Sequence, residues 1–267
     1  MSYANFERWR DVKLDKIELS IVIPAYNEEI RILPTLAAMG AFVSSYMPNW
    51  EVIVSDDGSK DTTAALVKDL GWKNLKLIEH ANTGKGGAVK RGVMAAEGDY
   101  ILFADADNST PIEELMRMME KLHEGADIAV GSRAAEGAIE ENKSFFRHLV
   151  SWGLRTVAGW LSGVKVKDTQ CGFKLFKRDV AQDLFGKQQM EGFSFDLELL
   201  YLANKLGYKV AEVPVRWFDA PGSKVNSVKD SIRFLKDIFA VRKLDRQGAY
   251  AERDAHAYSA GQHVSAQ

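Results

Sequence analysis

The chain has 267 residues, of which 46% are hydrophobic and 27% charged, an ordinary composition for a globular protein. Its formal net charge of −2 argues against a nucleic-acid partner, and its one cysteine, Cys171, excludes an intrachain disulfide and favours a reducing compartment. The charged N-terminus does not resemble a signal peptide, and no apolar run approaches the roughly 20 residues of a membrane-spanning helix. We therefore expect a cytoplasmic protein, soluble or peripheral to a membrane.

Short apolar runs rich in Val, Ile and Leu predict buried strands, at 18–24, 50–55, 74–79, 99–104 and 127–131. Helical patterns lie between these runs, near 29–46, 61–70, 86–97 and 111–124. Because strand and helix alternate, the predicted fold class is α/β, a doubly wound, mostly parallel sheet flanked by helices. Ligands of such sheets bind at the carboxyl ends of the strands, so candidate functional residues are sought there.

After residue 142 the pattern changes. The predicted elements there are a helix near 144–162, a loop with the sequence KVKDTQCGFKLF, a helix near 194–206, a strand at 208–215 and an amphipathic helix near 228–243. We predict one domain at 18–243, with halves 18–131 and 132–243, an N-terminal extension at 1–17 and a disordered tail at 244–267.

Charge is distributed unevenly along the chain. Residues 1–142 contain 15 Lys and Arg against 24 Asp and Glu, a net of −9, whereas residues 143–246 contain 19 against 11, a net of +8. The remaining residues have one Arg and two acids, which brings the total to −2. The asymmetry indicates an anionic partner for the second half, with a chance surface distribution as the alternative.

Acidic residues follow three of the five predicted strands. Glu28 follows the first, Asp56 and Asp57 end the second, and Asp105 and Asp107 end the fourth. Two carboxylates that flank one small residue can share Mg²⁺ or Mn²⁺, and the cation can neutralise charge on a departing diphosphate. The alternative is that Asp105 and Asp107 only cap a helix. Their position at a strand end that faces the other acidic strand ends favours a metal site.

The two other strand-end features are less specific. Asp56 and Asp57 are equally consistent with hydrogen bonds to a base and ribose and with a turn that caps the next helix. The sequence GKGG at 84–87 lacks the spacing of an ATP-binding P-loop, so a glycine turn that carries Lys85 into the site is the better interpretation.

The stretches IVIPAYNEE, EVIVSDDGSKDTT, NTGKGGAVKRGVMAAEGDYILFADAD and VGSR, in this order and spacing, resemble the family 2 glycosyltransferases, which have the GT-A fold. The resemblance covers about residues 18–240 and implies a nucleotide-diphosphate-sugar donor bound by residues 18–131, with the acceptor on residues 132–243. The donor-site residues that we assign on this basis are Pro24, Ala25, Tyr26, Glu28, Asp56, Asp57, Lys85 and Ala106, and the metal ligands are Asp105 and Asp107.

A narrower resemblance is to the polyprenyl-phosphate glycosyltransferases of the dolichyl-phosphate glucosyltransferase type, in ADADNSTPI, DTQCGFKLF, GFSFDLELLYLA and VPVRWFDAPGSKV. Relatives that make polyprenyl-phosphate mannose usually read DADLQHP, so Asn108-Ser109-Thr110-Pro111 favours UDP-glucose over GDP-mannose. Ser109 stands where some relatives have Gln, which leaves the third metal ligand open. The membrane-spanning segments of many relatives do not occur in this sequence.

The predicted helix at 144–162 carries Arg147, Ser151 and Arg155 on one polar stripe. Two arginines on one face can clamp a phosphate, and a solvated surface is the equally weighted alternative. The resemblance favours the clamp, because it aligns several of these residues with lipid-phosphate contacts. The candidate acceptor-phosphate contacts are Arg133, Arg147, Ser151, Arg155, Arg216 and Lys224.

The helix at 228–243 has an apolar side and a basic side, which is typical of a helix on an anionic membrane surface. Packing against the sheet is the alternative, and the positive charge of the second half favours the membrane. Whether the chain forms a homo-oligomer is left open.

The chemistry depends on the acceptor. A sugar hydroxyl needs a general base, whereas a lipid phosphate, with a second pKa of around 6, is already mostly dianionic. Asp196 or Glu198 would be the base in a saccharide-directed relative; with a lipid phosphate, Asp196 instead orients donor hydroxyls or Lys224. The resemblance implies inversion at the anomeric carbon. The rival interpretations are a soluble transferase for saccharides or proteins, a GDP-mannose-dependent enzyme, and a catalytically silent nucleotide-sugar sensor.

Overall fold

The computed structural model describes residues 3–141, 166–218 and 227–251. Within these ranges the strands are β1 (Leu19–Ala25), β2 (Trp50–Asp56), β3 (Leu75–Glu79), β4 (Tyr100–Ala104), β5 (Ile128–Ser132), β6 (Ile139–Glu141), β7 (Phe173–Lys177), β8 (Val210–Pro214) and β9 (Arg216–Phe218). The α-helices are α1 (Tyr3–Asp11), α2 (Ile32–Tyr46), α3 (Thr63–Asp69), α4 (Lys85–Met94), α5 (Leu115–His123), α6 (Arg178–Lys187), α7 (Phe195–Leu206) and α8 (Ser227–Arg246). A 3₁₀ turn, Ile112–Glu114, precedes α5.

The larger sheet of the described residues has seven strands in the order β3–β2–β1–β4–β7–β5–β8. Neighbouring strands are parallel except at β7, which runs antiparallel to both β4 and β5. β6 and β9 pair in parallel as a separate two-stranded sheet. The predicted α/β class with a mostly parallel sheet flanked by helices is therefore confirmed.

Helices bury both faces of the sheet. Along β1, Ile21 and Ile23 join a core with α2 and α5, whereas Val22 between them joins a core with α4, α6 and α7. This alternation follows from the twofold side-chain period of a strand, and burial on both faces explains the continuous apolar runs. Trp9 of α1 extends the first core by stacking on Trp50 at a centroid distance of 4.0 Å. The N-terminal extension therefore packs onto the domain.

One predicted element is wrong. The second half of the segment KVKDTQCGFKLF is not a loop but the start of β7, which lies buried between β4 and β5. Its side chains alternate between the two cores, with Phe173 and Leu175 in one and Phe176 in the other. Lys174, which is fully buried, concealed the strand, because lysine is rarely found inside a sheet.

The C-terminal boundary also differs from the prediction. α8 continues to Arg246, beyond the predicted end at residue 243, and Tyr250 in the turn that follows has only 4% of its surface exposed. Residues 244–251 are thus part of the folded domain. The rest of the predicted tail lies outside the described residues, and so does the predicted helix at 144–162.

Candidate active site

A cleft of about 360 Å³ opens at the carboxyl ends of β1, β2 and β4, where the sequence placed the site. This volume lies within the usual range for small-molecule sites, roughly 300–1,000 Å³. The predicted site residues that line it are Pro24, Ala25, Tyr26, Glu28, Asp57, Lys85, Asp105, Ala106 and Asp107. The parallel strands therefore bring together all but one of the predicted donor-site residues.

The turn after β1 sets the position of Tyr26 and Glu28. Between them, Asn27 has a φ of 54°, a left-handed conformation that asparagine adopts more readily than most residues. Its amide N–H donates to the Ser59 hydroxyl at 2.9 Å, and its side-chain oxygen accepts from the Lys60 N–H at 2.7 Å. The turns after β1 and β2 are thus tied together along one rim of the cleft.

Asp105 and Asp107 each lie near a basic side chain. Lys85 Nζ is 2.6 Å from Asp105 Oδ1, and Arg31 Nη1 is 3.8 Å from Asp107 Oδ2. Asp107 Oδ1 also accepts the Ser109 N–H at 3.0 Å. Carboxylates and basic side chains therefore lie side by side in the cleft. The carboxylates can bind a divalent metal ion, and the basic groups can bind an anionic diphosphate.

Lys85 remains protonated in this setting. Burial acts to lower its pKa, but the carboxylates of Asp105 and Asp196 act more strongly together, and the pKa of Lys85 is raised above its usual value. Its ammonium group also lies 5.3 Å from the centre of the Phe103 ring. A permanent positive charge thus faces the cleft at the start of α4.

The oxygen atoms of Asp105 and Asp107 suit a hard divalent cation as ligands. Asp105 and Asp107 offer only oxygen atoms, and their side chains are 32% and 25% exposed toward the cleft. Gly172 makes room for the first, since a Cβ at this position would collide with the Asp105 carboxylate. Among the residues that the structure describes, no third acid, histidine or cysteine completes a cluster. Mg²⁺ commonly needs only one or two carboxylates, with substrate phosphates and water as the other ligands.

Asp56, the last residue of β2, and Asp57, which follows it, have different surroundings. The carboxylate of Asp56 is engaged by the Ser59 N–H at 3.0 Å and by the Ser59 hydroxyl, and Asp56 is not part of the cleft lining. The contacts of Asp56 favour the turn over the predicted nucleotide contact. The carboxylate of Asp57 lines the cleft and accepts the Thr83 N–H at 2.8 Å and the Gly84 N–H at 2.9 Å. Asp57 thereby fixes the glycine turn before α4.

Asp196 lies beneath the cleft rather than in its lining. It is 3% exposed, and its Oδ1 is 2.6 Å from Nζ of the fully buried Lys174. Burial raises the pKa of Asp196, while the ammonium groups of Lys174 and Lys85 oppose the rise. An acid so enclosed and paired is poorly placed to take a proton from an incoming hydroxyl.

Two of the six acceptor candidates lie within the described residues, and both are paired with acids. Arg133 binds Asp168 through two hydrogen bonds of 2.6 and 2.9 Å and lies 5.4 Å from the ring centre of Trp217. Arg216 donates to Glu114 Oε1 at 2.7 Å. The other four candidates, Arg147, Ser151, Arg155 and Lys224, lie outside the described residues.

Several residues of the site escaped the sequence analysis. Arg31, Asn82 and Phe193 line the cleft. Gly172 adjoins the carboxylate of Asp105, and Lys174 pairs with Asp196 beneath the cleft. Arg31 carries a local signal, because it follows Glu28 by one helical turn and the two side chains form an ion pair of 2.6 Å. Asn82 lies just before the glycine turn at 84–87, whereas Gly172, Lys174 and Phe193 approach from distant parts of the chain and leave no comparable local pattern.

Known proteins resemble this chain along most of its sequence. The sequence profile of "Glycosyl transferase family 2" matches residues 20–185. A protein named dolichyl-phosphate beta-glucosyltransferase from Dictyostelium discoideum is 38% identical over 245 residues, which cover 86% of this chain and 75% of the relative. The protein of the same name from Drosophila melanogaster is 40% identical over 245 residues, with 84% and 74% covered.

Solved structures agree at the level of the fold. The glucosyl-3-phosphoglycerate synthase of Mycobacterium tuberculosis, crystallised with Mn²⁺, UDP and glucosyl-3-phosphoglycerate, matches with a TM-score of 0.64 at 20% identity. The match covers 87% of this chain and 80% of that one. Within the described residues, no helix has the length and apolarity that crossing a membrane requires. The predicted family is thus confirmed by the sequence profile and by the relatives, and the chain belongs to glycosyl transferase family 2 and is a glycosyltransferase.

Proposed function

We propose that this chain transfers glucose from UDP-glucose to a polyprenyl phosphate, dolichyl or undecaprenyl, with the help of Mg²⁺ or Mn²⁺ and with inversion at the anomeric carbon. The observation that carries the proposal is the group formed by Lys85, Asp105 and Asp107 at the end of β4, in the cleft that Tyr26 and Asp57 also line. The relatives named dolichyl-phosphate beta-glucosyltransferase support the same sugar and the same class of acceptor.

On the donor side, Asp105 and Asp107 would hold the cation, which would supply Lewis-acid stabilisation of the departing diphosphate. Lys85 and Arg31 add positive charge beside the two carboxylates, at 2.6 and 3.8 Å. Preorganised charges of this kind stabilise the negative charge that develops on the leaving group. Tyr26 and Asp57, which also line the cleft, are the candidates for contacts to the nucleoside.

On the acceptor side, an oxygen of the lipid phosphate attacks the anomeric carbon. The new C–O bond forms as the bond from carbon to the diphosphate breaks, and the electron pair of the broken bond leaves with UDP. One displacement inverts the configuration and gives a β-linked product. No proton has to be removed from a dianionic phosphate, so the reaction needs alignment and charge screening more than a base.

The position of Asp196 supports this acceptor over a saccharide or protein hydroxyl. The rival reaction needs Asp196 as a base, but the residue is 3% exposed and paired with Lys174 at 2.6 Å. We assign Asp196 instead to the electrostatic support of Lys85, whose pKa it helps to raise against the effect of burial. The proposed acceptor contacts remain Arg133, Arg147, Ser151, Arg155, Arg216 and Lys224.

We also propose that the enzyme works at the cytoplasmic face of a membrane, where the lipid acceptor resides. The support comes from α8, on which Ile238 and Val241 are buried at 1% and 2% exposure while Phe239 is 57% exposed beside the exposed Lys236. Exposed aromatic and basic side chains on one helix are typical of membrane-surface contacts.

The test is to incubate the enzyme with Mg²⁺, a short polyprenyl phosphate and a panel of radiolabelled nucleotide sugars, followed by extraction of lipid into organic solvent. We expect label in the lipid fraction from UDP-glucose, with a higher kcat/KM than from GDP-mannose in direct competition. A preference for GDP-mannose would contradict the donor assignment and leave the acceptor assignment in place. A silent nucleotide-sugar sensor would transfer nothing and hydrolyse no donor.

A further inference from the structure

The segment that connects α6 to α7, residues 188–194, lies against the glycine turn of the donor cleft; we name it the cleft loop. The carbonyl of Glu191 accepts the Gly87 N–H at 3.1 Å, and Nε2 of Gln188 donates to the Gly86 carbonyl at 3.0 Å. Phe193 of the same loop lines the cleft and is 55% exposed. The loop thus touches the donor site both through its backbone and through a side chain.

The fit between the cleft loop and the glycine turn is close. A Cβ added to Gly84 would lie 2.6 Å from the Glu191 carbonyl oxygen, and one added to Gly86 would lie 2.7 Å from the Met190 carbonyl oxygen. Any displacement of the loop therefore removes the backbone contacts that hold the glycine turn in place. The turn presents Lys85 to Asp105, so the position of the loop bears on the charge arrangement in the cleft.

The cleft loop is held in turn by a buried carboxylate. Glu198 of α7 has 0% exposure, and it accepts the Gln189 N–H at 3.0 Å, the Met190 N–H at 2.8 Å and the Tyr250 hydroxyl at 2.6 Å. A carboxylate removed from water is costly unless hydrogen bonds satisfy it. The loop backbone and Tyr250 supply those bonds, so the three parts fix one another.

A second link runs from the same loop to α8. The Ser194 hydroxyl donates to Asp237 Oδ2 at 2.5 Å. We name α8 and the turn that follows it, residues 227–251, the C-terminal segment. Both ends of the cleft loop are attached to this segment, one directly through Asp237 and the other through Glu198 and Tyr250. This segment takes no part in the chemistry described above.

We propose that the C-terminal segment positions the donor site: Tyr250, through Glu198, and Asp237, through Ser194, hold the cleft loop against the glycine turn that presents Lys85. The proposal rests on the proposed function to the extent that the cleft takes a nucleotide-diphosphate sugar. Tyr250, Glu198 and Asp237 are positioning residues, since they act through the loop and touch no reacting atom.

The test compares Tyr250→Phe with Tyr208→Phe. Each change removes one hydroxyl that is bonded to a carboxylate, since the Tyr208 hydroxyl donates to Asp183 Oδ2 at 2.8 Å. Tyr250 belongs to the core cluster against which the partly buried Tyr208 packs. Only Tyr250 is linked to the cleft loop. Tyr208→Phe therefore serves as the matched control for a general loss of stability.

The first measurement is hydrogen exchange of the peptide that covers residues 83–90, which needs no ligand. We expect faster exchange in Tyr250→Phe than in the wild type and wild-type exchange in Tyr208→Phe. The second is steady-state kinetics, where Tyr250→Phe raises the KM for the donor about two- to tenfold and leaves the KM for the acceptor unchanged. Glu198→Gln, which turns one acceptor oxygen into a donor, has the larger effect on both measurements.

Equal exchange in the two tyrosine variants would overturn the proposal, whatever the enzyme's substrates prove to be. Failure of UDP-glucose as a donor would contradict the proposed function alone, because the exchange measurement decides the link without a substrate. A donor KM raised equally by both variants would reduce Tyr250 to a stabilising residue.

Discussion

The donor side and the acceptor side of this enzyme are built in different ways. The donor cleft is made from the ends of β1, β2 and β4, which are neighbours in a parallel sheet, so topology alone brings its side chains together. On the acceptor side, Arg133 and Arg216 are each paired with an acid that is distant in sequence, Asp168 and Glu114. Under the proposed function, the donor phosphates enter a cleft that is already formed, whereas the acceptor phosphate competes with the carboxylates that Arg133 and Arg216 already bind.

This difference indicates where substitutions act. Changes in the cleft should affect the chemical step, because the charges there are proposed to stabilise the leaving group. Changes among the acceptor arginines should affect the use of the lipid phosphate and leave nucleotide binding alone. Substitutions on each side can therefore test this division.

The largest effect is expected for Asp107→Ala. The change removes one of the two carboxylates proposed to hold the cation, and kcat should fall by a factor on the order of a thousand with the fold intact. EDTA should have the same effect on the wild type. Asp69→Ala, at the exposed end of α3, is the control and should retain full activity. Transfer above a tenth of the wild-type rate in Asp107→Ala would contradict the metal assignment.

Gly172→Ala comes next. The new Cβ would collide with the Asp105 carboxylate, so this carboxylate, which pairs with Lys85, must shift. A misplacement of about 1 Å in a catalytic group can reduce kcat about a hundredfold. The matched control is Gly186→Ala in α6, where no atom lies within 4 Å of the added Cβ.

Gly186→Ala should keep full activity and raise the free energy of unfolding by about 0.5–1 kcal/mol, because alanine favours a helix over glycine. Kinetic assays together with thermal unfolding of both variants check the pair. Full activity in Gly172→Ala would mean that Asp105 can shift without consequence for the reaction.

On the acceptor side the effect should be smaller and selective. Arg147→Ala removes the proposed charge-assisted hydrogen bond to the lipid phosphate, worth roughly 1.5–3 kcal/mol. The kcat/KM for the lipid phosphate should fall about ten- to a hundredfold, while the affinity for UDP stays unchanged. Arg147→Lys should recover only part of the loss, because an ammonium group cannot form the two-pronged contact. An equal loss of UDP affinity would assign Arg147 to the donor site and break the division.

The smallest effect is expected at Cys171, which packs beneath β5 against Gly131. Burial and the nearby Asp168 raise the pKa of its thiol to about 11, so the thiol is protonated and inert near neutral pH. Iodoacetamide at pH 8 should leave the native enzyme unlabelled and fully active, and it should label the enzyme in urea. Rapid labelling of the native protein, followed by mass spectrometry, would contradict this burial.

The same division explains how far the sequence could predict the structure. The parallel strands and the residues at their ends were predictable, because each strand has a local apolar pattern and the ends of parallel strands meet at one edge. Asp105 and Asp107 were found in this way, and Lys85 was found through the glycine turn at 84–87. Their partner Arg31 was within reach of the same reasoning, through its spacing from Glu28.

β7 was missed because its pattern contains Lys174, and because its partners, β4 and β5, precede it by many residues. The buried pair of Lys174 and Asp196 could not be inferred, since neither residue carries a local sign of the other. The cleft loop depends in the same way on contacts between α4, α7 and Tyr250 that only the folded chain brings together. The choice between turn and nucleotide contact for Asp56 likewise required the position of Ser59.

The choice of acceptor tests the proposed transfer to a lipid phosphate most directly. Labelled UDP-glucose is offered with Mg²⁺ and, in parallel, with a polyprenyl phosphate, with the same polyprenol without its phosphate, and with soluble saccharides. We expect a glucosylated lipid from the polyprenyl phosphate alone, because Asp196, the candidate base for a hydroxyl acceptor, is buried and paired with Lys174. Comparable transfer to the free polyprenol or to a saccharide would contradict the proposal.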